Sequence, residues 1–250
     1  MRHALITAGS KGLGKKVAEA LLNHGYSLTI NYKSDEEAVR QLKDDWRDNI
    51  QHIQFVKGDV TKKEDLVKLV KNAYERFGRI DVLILNAGPY VFERKKLVDY
   101  TDDEWDEMVS GNLSSAFHLF KCVIPYMRDQ QYGRIITYGF QDAQNAPGWL
   151  YRSAFAAAKA GLVSLTKTIS IEEAEHGITA NMVCPGKITG DMKEASIQDA
   201  VEDKETPVGR SGTGEDIART VMFLCAPESD MITGSVLEVT GGINVLHKYR

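Results

Sequence analysis

The sequence predicts an α/β fold: a doubly wound parallel sheet of about seven strands in a three-layer α/β/α arrangement. Short β-rich runs alternate with longer amphipathic runs along the chain, and each strand after the first follows a helical pattern, as successive βαβ units require. The run "VLIL" is apolar on both faces, which suits a central parallel strand. No repeat, low-complexity tract or Pro/Gly-rich linker divides the chain, so residues 1–250 read as one domain.

The elements follow in order. "ALIT" opens the sheet and runs into "TAGSKGLGKKVAEAL", a glycine turn entering a helix that Gly25 stops. "SLTIN" and "IQFVKG" are the second and third strands. Thr61 and Glu64 in "TKKE" form a capping box at the start of the helix "EDLVKLVKNAYERFG". "IDVLIL" is the fourth strand. The long pattern "DEWDEMVSGNLSSAFHLFKCVIPYM" then reads as a single helix. "GRIITY", "ITANMVC" and "SVLEVT" complete the sheet; Gly177 stops the helix before "ITANMVC", and Pro185 ends that strand because it lacks a ladder donor.

A formal charge of −4 with both signs interspersed gives no electrostatic case for nucleic acid or an anionic membrane. No apolar run is long enough to span a bilayer, and "MRHALITAGS" is too short in its apolar part for a signal peptide, so a cytoplasmic location is expected. Cys122, Cys184 and Cys225 lie far apart and read as small buried hydrophobes in a reducing compartment. The six histidines show no ligand spacing, so no metal is expected.

Gly9, Gly12 and Gly14 lie between a strand and a helix. There a tight turn lets backbone N–H groups approach a pyrophosphate at a helix N-terminus. The turn resembles the T-G-x-x-x-G-x-G signature of short-chain dehydrogenases/reductases, with Thr7, Gly12 and Gly14 in place and Ala8 in the first glycine slot. "GDV" with Asp59 and Val60 is similar to that family's adenine-contacting pair, and "NAG" (Asn86, Ala87, Gly88) to its turn beside the cofactor ribose. Asn112 falls on the family's helix asparagine. "CPGKIT" resembles its nicotinamide loop, implicating Pro185, Gly186 and Ile188, and "GSVLEVTGG" its last strand and turn. The likeness spans essentially the whole chain and is greatest to 3-oxoacyl-acyl-carrier-protein reductases. It implies a Rossmann-type fold, a bound nicotinamide dinucleotide held partly by Ser10, Lys11 and Leu13 of the turn, a small-molecule or acyl-thioester substrate, and a homo-oligomer (dimer or tetramer).

The end of the second strand bears on cofactor choice, because an acidic residue there would bond an NAD ribose and repel a 2′-phosphate. Asn31 and Tyr32 occupy that slot, Lys33 follows, and Lys11 adds a second cation, favouring NADP(H) over NAD(H). The competing reading makes Lys11 and Lys33 solvated surface lysines and gives the NAD role to Asp35 or Glu36.

The resemblance implies a catalytic tyrosine four residues before a lysine, a serine after the fifth strand and the helix asparagine. Lys159 and Asn112 match it. "YRSAFAAAKAG" puts Phe155 in the tyrosine slot, and "GRIITYGF" puts Phe140 in the serine slot. The interval from 133 to 159 is about two residues longer than that of the acyl-carrier-protein reductases, and Thr189 is shifted by one within its loop. Tyr151, four residues before Phe155, shares a helical face with Phe155 and Lys159 if the helix starts early enough, making it the leading surrogate donor. Ser153, Tyr138 and Tyr90 are further hydroxyls, Tyr90 being better suited to lining the pocket. Two functions follow: a reductase with an atypical proton donor, or a catalytically impaired dinucleotide-binding or sensor protein. The polar segment 189–210 reads as a substrate lid.

Overall fold

The computed structural model describes residues 1–246; His247, the sixth of those histidines, lies outside them. Its strands are β1 (His3–Ile6), β2 (Ser27–Tyr32), β3 (Ile53–Lys57), β4 (Val82–Leu85), β5 (Gly133–Tyr138), β6 (Ile178–Pro185) and β7 (Val236–Val239). They form one sheet in the order β3-β2-β1-β4-β5-β6-β7, and every pair is parallel. All four β4 residues are buried, as a strand covered on both faces requires.

Helices α1 (Gly12–Asn23), α2 (Glu36–Asp45), α3 (Lys63–Phe77), α4 (Asp102–Val109), α5 (Ser115–Gln130), α6 (Ser153–Glu172) and α7 (Gly214–Cys225) flank the sheet. One apolar layer joins it to α3, α5 and α6, and the other joins it to α1 and α7. Cys184 and Cys225 are buried in these layers, where desolvation pushes both thiols up to about 12.

Gly25 and Gly177 take left-handed φ values of 78° and 69° at the stops expected of them. Thr61 does not form the expected capping box. Helix α3 begins at Lys63, and the Thr61 hydroxyl instead donates to Asp59 Oδ1 at 2.8 Å, closing the turn after β3. The single helix expected across 103–127 is α4 and α5 joined by a π-helical turn, Ser110–Ser114, in which Asn112 sits. Such a turn adds a residue to the helical circuit and redirects a side chain, a device common at functional sites.

The strand order reverses between β1 and β4, which opens a crevice at their carboxyl ends. Asn86 Nδ2 donates to the carbonyls of Thr7 (3.2 Å) and Ala8 (3.0 Å), and the Ala87 N–H donates to Thr7 Oγ1 at 2.9 Å. The two turns forming the crevice are thereby bonded to each other.

Candidate active site

The turn from Thr7 to Gly14 leaves β1 and enters α1 at this crevice. Close approach explains Gly14: a Cβ there would meet Asn86 Nδ2 at 2.5 Å and the Ala8 carbonyl at 2.6 Å. Ala8, in the family's first glycine slot, adopts φ 49°. The Lys11 side chain does not cap α1, so the helix presents orphan amides. One is occupied by an anion of the protein's own: Glu194 accepts from the Gly12 N–H at 2.6 Å and from Lys15 Nζ at 2.9 Å. Burial works against ionisation of Glu194, yet Lys15 and the Gly12 amide hold its carboxyl below the ordinary value. A carboxylate thus stands where the donors of a dinucleotide site await a pyrophosphate, and the residues present fit that group. The surrounding cleft of about 750 Å³ is also lined by Lys11, Leu13, Asn86 and Gly88.

At the end of β2, Asn31 is buried with its amide engaged: Oδ1 accepts from the Ala8 N–H at 3.3 Å, and Nδ2 donates to the Gly58 carbonyl at 2.9 Å. It ties the glycine turn to the end of β3. Lys11 pairs with Asp35 at 3.2 Å, Lys33 with Asp59 at 2.8 Å, and Tyr32 Oη donates to Glu36 at 3.1 Å. The cations read as 2′-phosphate partners are present, each neutralised by a carboxylate. Val60 packs at the edge of the core beside this cluster.

Lys159 and Asn112 converge on Gly88. A Cβ on Gly88 would overlap Asn112 Oδ1 and lie 3.7 Å from Lys159 Nζ. Asn112 Nδ2 donates to the carbonyls of Pro89 and Met108, both at 3.0 Å, while its buried Oδ1 has no partner. That acceptor and the Lys159 ammonium both lie against Gly88, which lines the cleft. Lys159 is 5% exposed and pairs with no carboxylate among the described residues; desolvation pushes it down to about 8. An uncompensated buried cation and an orphaned buried acceptor are costly to the fold and suit a bound polar ligand.

Phe155 and Phe140 also come together, ring centroids 6.2 Å apart. Trp149 stacks on Phe140 at 5.1 Å and meets Phe155 at 6.0 Å, and Tyr90 packs edge-on to Phe155 at 5.0 Å. Of these rings Tyr90, Phe140 and Trp149 line a cleft of about 560 Å³, which Pro185, Gly186 and Ile188 also line; Phe155 packs behind them against the core. Residues 140 and 155 both bring a phenyl ring, without a hydroxyl, to this place.

Tyr151 lines this cleft but does not share a face with Phe155 and Lys159. Helix α6 starts at Ser153, and Tyr151 lies before it at φ 66°, a left-handed conformation that ends helical geometry. Asp142 and Ala146 also have positive φ, so the segment judged long by two residues is a chain of tight turns. Tyr138 is buried in the layer facing α1 and α7 with an unpartnered hydroxyl, and burial raises its phenol well above the ordinary value. The segment read as a lid contains two 3-10 turns, Gly190–Lys193 and Ile197–Asp199, and carries Glu194 onto the glycine turn.

Three participants escaped sequence reasoning. Glu194 follows no motif. Arg152 sat in the quoted stretch beside Tyr151, and its adjacency to a pocket tyrosine was the available signal. Trp149 was hidden in the irregular segment before α6.

Comparison with known proteins agrees with this geometry. The family described as "Enoyl-(Acyl carrier protein) reductase" matches residues 7–244. The Bacillus subtilis protein named "Putative oxidoreductase YtkK" is 69% identical over 251 residues, covering 99% of this chain and 98% of its own. The Salmonella typhimurium 3-oxoacyl-acyl-carrier-protein reductase FabG is 35% identical over 242 residues, 96% of each chain. A solved structure described as "Structure of putative 3-oxoacyl-reductase from bacillus thuringiensis" superposes with a TM-score of 0.94 at 64% identity, covering 99% of this chain and 100% of its own.

Proposed function

Because this chain belongs to the short-chain dehydrogenase/reductase family, we propose that it is an NADP(H)-dependent reductase of a carbonyl or related substrate, of the 3-oxoacyl thioester type, working with a displaced proton donor. One observation carries the reading: Lys159 and Asn112 both lie against Gly88, which lines the cleft at the glycine turn, and Lys193 lines both that cleft and the aromatic one. A bound reduced dinucleotide supplies the hydride. The Gly12 amide and the Lys15 ammonium bind its pyrophosphate once Glu194 withdraws, and Lys159 with Asn112 Oδ1 holds the ribose side of the crevice. Lys11 and Lys33 exchange their carboxylate partners for a 2′-phosphate. Phe140, Trp149 and Phe155 exclude water from the reacting carbon.

The segment 189–210 closes over the substrate as a lid within a single domain. The exposed Trp105 on α4 and Phe117 on α5 form the surface on which subunits pair. A cytoplasmic site of action belongs to this reading.

A second reading is favoured by the Phe140–Phe155 contact itself: a dinucleotide-binding or sensor protein whose old catalytic slots have become apolar wall. Fluorescence titration with NADPH and NADH, followed by turnover assays with ketones, 3-oxoacyl thioesters, enoyl thioesters and imines, separates them. Tight NADPH binding with carbonyl turnover supports the reductase; tight binding with no turnover supports the sensor. Failure to bind either dinucleotide ends both.

A further inference from the structure

Building on the reductase reading, we propose that Tyr90, positioned by Arg152, donates the proton in place of the missing hydroxyl at residue 155. The Tyr90 ring meets the Phe155 ring at 5.0 Å and 84°, so this phenol belongs to the side chain bordering the slot that lacks one. Arg152 Nε donates to Tyr90 Oη at 2.7 Å, and its guanidinium carbon lies 5.0 Å from the centre of the same ring. The phenol oxygen is therefore already an acceptor. Among the described residues it donates to nothing, leaving its own hydrogen free for a substrate oxygen.

Arg152 is fixed for this task. Its remaining bonds go to the carbonyls of Tyr151 (2.8 Å), Glu93 (2.8 Å) and Phe92 (3.2 Å), and no carboxylate among the described residues pairs with it. Its charge stays undiluted beside the Tyr90 oxygen throughout a proton transfer. Both residues line the cleft with Phe140 and the loop from Pro185 to Thr189. Tyr151, Tyr138 and Ser153 lack this arrangement: none of their hydroxyls carries a cation's hydrogen bond. A cation beside a phenol is the pairing the reaction needs, and here the cation is on residue 152.

The step balances. As the carbonyl carbon receives a hydride from the reduced nicotinamide dinucleotide, the C=O π bond breaks. The Tyr90 O–H bond then breaks, and its proton forms the alcohol O–H. The substrate is reduced by two electrons and the dinucleotide oxidised, and the Tyr90 phenolate regains a proton from water beside Arg152.

The test uses acetoacetyl-N-acetylcysteamine with NADPH and the full chain. Tyr90→Phe is expected to lower kcat by about 10²–10⁴-fold while leaving KM, the thermal midpoint and the NADPH fluorescence Kd unchanged. Arg152→Lys is expected to retain more kcat than Arg152→Met, because the cation persists. Adding Phe155→Tyr to Tyr90→Phe is expected to recover turnover, since it restores a phenol at the neighbouring ring. Wild-type turnover with an unaltered Tyr90→Phe variant overturns the donor and spares the reductase reading. A larger kcat loss in Tyr151→Phe than in Tyr90→Phe does the same. Tight NADPH binding with no wild-type turnover overturns both.

Discussion

The Glu194 carboxylate accepts the Gly12 amide hydrogen at 2.6 Å, so a side chain of the segment 189–210 closes the N-terminus of the first helix. It competes with any pyrophosphate for the same donors and for Lys15. Glu194→Gln keeps an acceptor but removes the charge, and is expected to tighten NADPH binding about tenfold, since a charge-assisted bond contributes roughly 1.5–3 kcal/mol. Because the carboxyl sits below its ordinary value of 4.5, the competition persists at neutral pH and is lost only as pH falls through the depressed value. Titration of both proteins at pH 7 measures the difference; equal affinity would show that the contact yields at no cost.

Lys159 is a buried cation without a carboxylate, and the fold bears its desolvation. Lys159→Met is expected to raise stability by up to about 3 kcal/mol while weakening NADPH binding, because one unit of pKa shift corresponds to about 1.4 kcal/mol. The sign with pH follows from linkage. Between about 8 and the ordinary 10.5 the unfolded chain binds more protons at this residue than the folded one, so its contribution to stability rises with pH across that window. The advantage of Lys159→Met in thermal melts should therefore shrink between pH 8 and pH 10.5.

Much of the architecture was legible because period and punctuation act locally. "VLIL" reported burial on both faces directly, and Gly25 and Gly177 marked positions that a left-handed residue fills well. Gly14 and Gly88 have a local reason of the same kind: a neighbouring atom leaves no room for a Cβ. The π turn at Asn112 was not legible, since α-helix and π-helix share nearly the same apolar spacing. Tyr151 was misplaced because helical periodicity was extended past a residue whose backbone is left-handed. Glu194 and Arg152 were missed for a different reason: each acts on a partner brought close only by the folded chain, 182 and 62 positions away.

Ala8 holds φ 49° in a turn where its family slot carries glycine. Left-handed backbone costs an L-residue roughly 1–2 kcal/mol, partly offset by the extra unfolded-state freedom of glycine. Ala8→Gly is expected to stabilise by about 0.5–1 kcal/mol, a rise in Tm of about 1–4 °C for a chain of this size. A fall in Tm would show that the methyl group's contacts outweigh the strain.

His3 predicts the acid limb of stability. It is fully buried, bonded to the Arg79 carbonyl at 2.6 Å and to Thr29 Oγ1 at 2.9 Å. Desolvation lowers it from 6.5 to about 4, against the opposing pull of the Arg79 carbonyl and Asp81. The unfolded chain therefore binds the extra proton first, and stability falls as pH drops from 6.5 towards 4. His3→Gln should flatten that limb by about 2–3 kcal/mol in urea midpoints compared at pH 7 and pH 4. An unchanged slope would place the acid sensitivity in the carboxylates instead.

Phe155 and Phe140 set stability against chemistry. Lys159 Nζ lies 5.7 Å from the centre of the Phe155 ring, so Phe155→Tyr adds a phenol beside an existing cation at little steric cost. In the Tyr90→Phe background it is expected to raise turnover of a 3-oxoacyl thioester by about 10–10³-fold with NADPH affinity unchanged, within the range a general acid supplies. Phe140→Ser behaves differently. Phe140 is 4% exposed and stacked on Trp149, so removing its ring leaves a cavity costing about 3–5 kcal/mol. The serine hydroxyl should return about 10²–10³-fold in rate as a donor to the developing oxyanion. Made together, the two substitutions should yield less than the product of their separate gains, because the donors act on one oxygen. A double variant that loses stability without gaining turnover would mean that Lys159 and Asn112 serve binding alone.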